Sequence, residues 1–129
     1  MDRNLGLLGI AKKAGLLAVG GDAVNTSARR GNARLIITAC DASDGAVRRA
    51  RRSSEEGGAV YVSVPYSKFE LGSITGRGSP GTVAFLDAGL AAGFVKGLAD
   101  TQKSYSDAAE LLEKKFDART KRASRRDKQ

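Results

Sequence analysis

Apolar positions along this chain change their period repeatedly, and each change marks a new element. Leu5, Leu8 and Ala11 recur at the spacing of one helix face, with Asp2 placed to cap it and Gly15 to end it. Leu17 to Val19 reads as a short strand, and Asp22 to Arg30 as a helix closed by Gly31. Arg34 to Cys40 carries the apolar run of a buried strand, which makes the Cys40 thiol a buried, inert one. Ser43 caps a very basic helix that stops near Gly57 and Gly58. Val60 to Val64 is a third strand with Pro65 at its end, and Ser67 with Glu70 has the spacing of a capping box for a short helix. Gly72 to Gly81, GSITGRGSPG, reads as a flexible loop. Thr82 to Asp87 is a fourth strand and Gly89 to Asp100 a helix. A last helix begins at Ser106, with Leu111, Leu112 and Phe116 on its apolar side.

Strands alternating with helices predict an α/β layer sandwich of roughly four strands. The 129 residues suffice for one domain with a real core, taken as residues 1–100, followed by a C-terminal helix and basic tail over 101–129. Beyond Phe116 only alanines remain among the apolar residues, so the tail has nothing with which to pack.

Charge sharpens this picture. The net charge is +8, and residues 113–129 hold eight Lys and Arg against three acids. The folded part is therefore mildly basic and the tail strongly so, a distribution that favours polyanions in a salt-sensitive way. No apolar run approaches the length of a membrane span, and Lys12 and Lys13 interrupt the first apolar stretch before it could act as a signal peptide. The expected address is cytoplasmic, with no membrane contact.

Composition also prunes the chemistry. The chain has no histidine, which removes the commonest general base and the commonest zinc ligand. A single cysteine excludes an internal disulfide. Asp41 and Asp87 close apolar strands, where an open α/β sheet gathers ligands, but each reads as a turn residue starting a helix. No phosphate-cradling loop of Walker type accompanies them. The expectation is a non-enzyme without metal or cofactor.

The more specific signal is Gly20-Gly21. A diglycine turn opening a helix leaves backbone N–H groups exposed to a docking phosphate or base edge. The helix carries Asn25, Thr26, Arg29 and Arg30, and Asn25 shares a face with Arg29. The loop from Thr75 to Gly81 contributes Arg77. Should strands one and four bring both loops to one sheet end, they form a two-part clamp on bent RNA. The basic helix around Arg48 to Arg52 could lie on RNA, but its four arginines project around more than one side, and an ordinary solvated face is the favoured reading. The aromatics are too few and too scattered for a stacking platform, and Tyr61 and Phe85 read as core.

The segments LLGIAKKAGLLAVGGDAV, ARRGNARLIITACDAS, VPYSKFELGSITGRG and VAFLDAGLAAGF, in this order, resemble the ribosomal protein L-seven-Ae superfamily of kink-turn RNA-binding proteins. The likeness is greatest to its bacterial YlxQ-like branch and covers residues 4–99. It implies a three-layer α/β/α sandwich with a mixed sheet that grips kinked RNA by the turn and helix start after the first strand and the loop before the last. Gly20 falls on the family's signature glycine, Asp22 on its Asn, Ala23 on its Glu and Thr26 on its Lys. Those three departures each remove a charged or bidentate contact worth about 1–3 kcal/mol, and so weaken standard kink-turn readout. The expected function is non-catalytic binding of structured, ribosomal or kink-turn-like RNA by a monomer linked to translation, as a ribosome or assembly-factor partner. The RNA-binding residues expected are Gly20, Gly21, Asp22, Asn25, Thr26, Arg29, Arg30 and Arg77. The competing reading is a protein–protein adaptor on the same scaffold.

Overall fold

The computed structural model describes residues 2–76 and 78–115. Arg77, Phe116 and the basic tail over 117–129 lie outside the described residues. Four strands form one mixed sheet in the order β1-β4-β2-β3. They are β1 (Leu17–Val19), β2 (Leu35–Thr38), β3 (Val60–Ser63) and β4 (Thr82–Phe85). β2 and β3 run parallel, as a helical crossover requires, while β4 is antiparallel to both β1 and β2.

Strand alternation assigns the helices to two layers. Leu35, Ile37, Val60, Val62, Val83 and Phe85 point to one face. There they meet α1 (Arg3–Lys13), α4 (Lys68–Thr75), α5 (Ala88–Thr101) and a helix over 106–115. Ala18, Ile36 and Ala84 point to the other, against Val24 and Ala28 of α2 (Gly21–Arg29) and Ala50 of α3 (Asp44–Gly57). The result is a three-layer α/β/α sandwich.

Helix starts follow the caps read from sequence. Asp2 accepts from the Asn4 amide at 2.7 Å, Ser43 from Ala46 at 3.1 Å, and Asp87 from Leu90 at 2.9 Å. Ser67 and Glu70 complete a reciprocal capping box. Three expectations need correction. The segment GSIT is helical rather than loop, because α4 runs to Thr75 with Leu71 and Gly72 buried, and Gly76 turns the chain at φ 74°. Cys40 is exposed, because β2 ends at Thr38 and Cys40 already belongs to the turn beyond it. In the last helix Leu112 enters the core while its neighbour Leu111 is 46% exposed, since adjacent helical residues diverge by about 100°.

Candidate nucleic-acid interface

The register of β1 on β4 decides where the two candidate loops lie. Val19 pairs with Val83 in an antiparallel ladder, so the chain leaving β1 and the chain entering β4 share one end of the sheet. Gly20 seals this junction by donating its N–H to the Thr82 carbonyl at 2.9 Å. At φ 96° and ψ 153° it occupies backbone space that suits glycine. Val19, Gly20, Gly78, Ser79 and Pro80 line one shallow depression of about 310 Å³. The turn after β1 and the segment before β4 are thus neighbours.

A second cleft of about 240 Å³ opens beside it, between the head of α2 and the first half of α3. Gly21, Arg49, Ser53, Gly81 and Thr82 line it, over a floor of Val24, Ala46 and Ala50. The first intrahelical bond of α2 runs from Val24 N–H to the Gly20 carbonyl. The amides of Gly21, Asp22 and Ala23 therefore precede the helical ladder and face outward. Gly20 drops out of the donor set expected from sequence, because the sheet consumes its N–H.

α2 and α3 run side by side in the same direction. Arg49 Nη2 donates to Asp22 Oδ1 at 2.7 Å at the head of the pair. Ser53 Oγ donates to Asn25 Oδ1 at 3.0 Å one turn further on. A Cβ on Gly57 would lie 2.6 Å from the Ala28 carbonyl oxygen, so the helices nearly touch at their far ends. Only glycine permits that approach.

The expected site residues are distributed unevenly along this pair. Gly20, Gly21 and Asp22 gather at the sheet end with Gly78 to Pro80. Asn25 turns its carbonyl towards α3, and the Thr26 hydroxyl donates back to the Asp22 carbonyl at 3.0 Å within its own helix. Arg29 and Arg30 are exposed at the opposite end of α2, about 12 Å from Gly21 along the helix axis. Arg29 there complements the helix dipole. Arg77 lies outside the described residues.

Sequence reasoning did not single out Arg49 among the four arginines of its helix. Its guanidinium crosses the cleft to the α2 head, and the Asp22–Arg49 pair offsets the carboxylate at the mouth of the site. A signal was present: Ala46, Ala50, Ser53 and Gly57 place small side chains at helical spacing, marking the α3 face that meets α2, and Arg49 flanks that stripe. The carboxylates of Asp41 and Asp87 serve backbone amides, Asp41 accepting from Lys68 N–H at 2.8 Å and Asp87 capping α5. No group of three potential metal ligands occurs among the described residues. None of the described helices is long and apolar enough to cross a membrane.

No family model and no curated protein matches the sequence. Solved structures do match. One, a protein of unknown function from Bacillus halodurans C, is 22% identical, with a TM-score of 0.68 over 75% of this chain and 97% of that one. Another, the Giardia lamblia 15.5kD RNA binding protein, is 18% identical, with a TM-score of 0.55 over 88% of this chain and 84% of that one. At such identities the likeness is one of fold, and an RNA-binding protein is among the chains that share it.

Proposed function

We propose that this protein is a non-catalytic binder of structured RNA, using the sheet end where the β1–α2 turn meets the segment before β4. The observation that carries this reading is the depression shared by Gly20 and Gly78 to Pro80, opening beside the cleft where Arg49 faces the α2 amides. Outward backbone amides and a guanidinium suit a phosphate or a base edge. The architecture shared with an RNA-binding protein from Giardia supports the same class of ligand. The finer form of the proposal takes the chain as a member of the L-seven-Ae superfamily, in its YlxQ-like branch. Its target is then ribosomal or kink-turn-like RNA, met by a cytoplasmic monomer acting with the ribosome or its assembly machinery.

In this reading the amides of Gly21 and Asp22, the side chains of Asn25, Thr26 and Arg49, and Arg77 meet the RNA. Arg29 and Arg30 extend the contact along α2. The competing adaptor reading requires a contiguous apolar patch on α2. The outward positions there are Asp22, Ala23, Thr26, Arg29 and Arg30, and among the described residues the exposed large apolar side chains, Ile10, Phe69 and Leu111, lie on other helices. That distribution favours RNA.

The test is recovery of bound RNA by pull-down and sequencing, for the wild type and for Arg29→Gln/Arg30→Gln. A defined set of structured RNAs is expected with the wild type, depleted in the variant, with affinity falling steeply as salt rises. Equal binding at low and high salt, or recovery of protein partners without RNA, overturns the proposal.

A further inference from the structure

The arginines of α3 divide into three environments. Arg51 stacks over the Tyr61 ring, 5.3 Å from its centroid, on the β3 side of the helix. Arg49 reaches across the cleft to Asp22. Arg48 and Arg52 are exposed, four residues apart on the outward side, and neither makes an ion pair among the described residues. Two like charges at this spacing destabilise a helix.

Asp44 and Glu56, four residues before Arg48 and four after Arg52, have the spacing to offset this, but neither closes to ion-pair distance among the described residues. Cations stabilise a helix near its C-terminus, yet the last turn of α3 ends in Glu55, Glu56 and Gly57 with no basic residue, and the arginines crowd the middle turns. Helix stability alone would favour the reverse order. An external polyanion would be met by this surplus of cations. The pair stands on the outward side of the same turns of α3 whose Ala46, Arg49, Ala50 and Ser53 line the cleft. Arg49 lies between this row and the cleft floor in helical phase, so the three guanidiniums follow one another from the cleft to the outer face of α3.

We infer that Arg48 and Arg52 form a second, sequence-independent contact that holds the sugar–phosphate backbone of a duplex arm leaving the clamped RNA. This inference rests on the RNA-binding reading above and adds to it a direction: the RNA runs from the loop pair across the cleft onto the outer face of α3. The row binds charge rather than bases, since two exposed guanidiniums on a convex helix offer no pocket for a base edge.

The experiment uses the full chain and a labelled synthetic RNA with two duplex arms flanking a three-nucleotide bulge, and a second RNA with one arm shortened to its first few pairs. Affinity is measured across a salt series for wild type, Arg48→Gln/Arg52→Gln and Arg51→Gln, with thermal melts to confirm that each folds. The double variant is expected to bind the two-armed RNA about tenfold more weakly at 100 mM salt, and to reduce the slope of log affinity on log salt by about 2. Shortening one of the arms should remove the difference between wild type and double variant. An unchanged slope, or an equal loss in Arg51→Gln, overturns the inference while the RNA reading stands. A wild type that binds neither RNA overturns both.

Discussion

The two faces of the sheet are built from different materials. The face beneath α1, α4 and α5 is filled by large side chains, with Phe85, Phe94, Leu8, Leu35, Ile37 and Leu71 all fully buried. The face beneath α2 and α3 is filled mainly by alanine, at positions 18, 28, 33, 50 and 84, with Val24 and Ile36. Burial of apolar area stabilises in proportion to that area, so the first face supplies most of the cohesion. The second is thin. Its helices come close to the sheet and to one another, and polar groups join them: Asp22 to Arg49 and Asn25 to Ser53. One face holds the fold together, and the other is the one that the proposed function assigns to a ligand.

Truncating the thick face should have the largest effect. Phe94 packs its ring 5.0 Å from that of Phe85 and 6.4 Å from that of Tyr66. Phe94→Ala should lower stability by about 3–5 kcal/mol in urea denaturation, with RNA affinity per folded molecule unchanged. Loss of affinity without loss of stability would erase the division of labour between the faces.

Alkaline pH attacks the same face chiefly through Tyr66, with Tyr105, whose phenol burial also pushes up, at its edge. Tyr66 is 5% exposed, and burial, reinforced by its hydrogen bond to Asp2, pushes its phenol from 10.0 up to about 12. A folded-state value above the unfolded one means that this contribution is complete below pH 10 and is lost as pH rises to 12. The decline should be on the order of 2 kcal/mol. Tyr66→Phe should reduce it to the smaller part left by Tyr105, as read from midpoints of denaturation measured across that pH range; an equal decline in the variant would remove Tyr66 as a source.

The thin face responds to added bulk instead of lost bulk. Alanine normally suits a helix better than glycine, but a methyl on Gly57 would meet the Ala28 carbonyl oxygen at 2.6 Å, and a backbone atom cannot swing away. Gly57→Ala should therefore destabilise by about 1–3 kcal/mol and spread α2 from α3, weakening RNA binding as well. A neutral or stabilising result would show that the close helix contact is dispensable.

The smallest effect on stability should come with a clear effect on binding. Arg49 is half-exposed and Asp22 almost wholly so, which limits their ion pair to about 0.2–1 kcal/mol. Arg49→Gln should leave the melting curve almost unchanged yet reduce RNA affinity by about 1.5–3 kcal/mol, the worth of a charged contact. A titration by fluorescence anisotropy would decide it, and unchanged affinity would remove Arg49 from the interface.

Much of the architecture was legible because it is written in local rules. Caps at Asp2, Ser43, Ser67 and Asp87 depend on a side chain and an amide three residues or fewer away, and all four form as read. The glycine requirement at Gly20 was equally local. What failed to read was set by distant partners. The α4 extension through GSIT depends on burial of Leu71 and Gly72, and the exposure of Cys40 on where the β2 ladder stops. Arg49 was hidden among four arginines because only the packing of α3 on α2 says which one faces the cleft.

By itself, the chain determined the alternation of strands and helices, the capped starts of its helices, its excess of positive charge and its lack of histidine, since these follow from composition and from interactions within one turn. The tertiary structure decided that the end of β1 meets the start of β4, that α2 lies against α3, and that Arg49 rather than Arg51 stands at the cleft. The physical reason is range. Strand register and helix phase are fixed by which faces can be buried together, and residues far apart in sequence become neighbours only once that burial is complete.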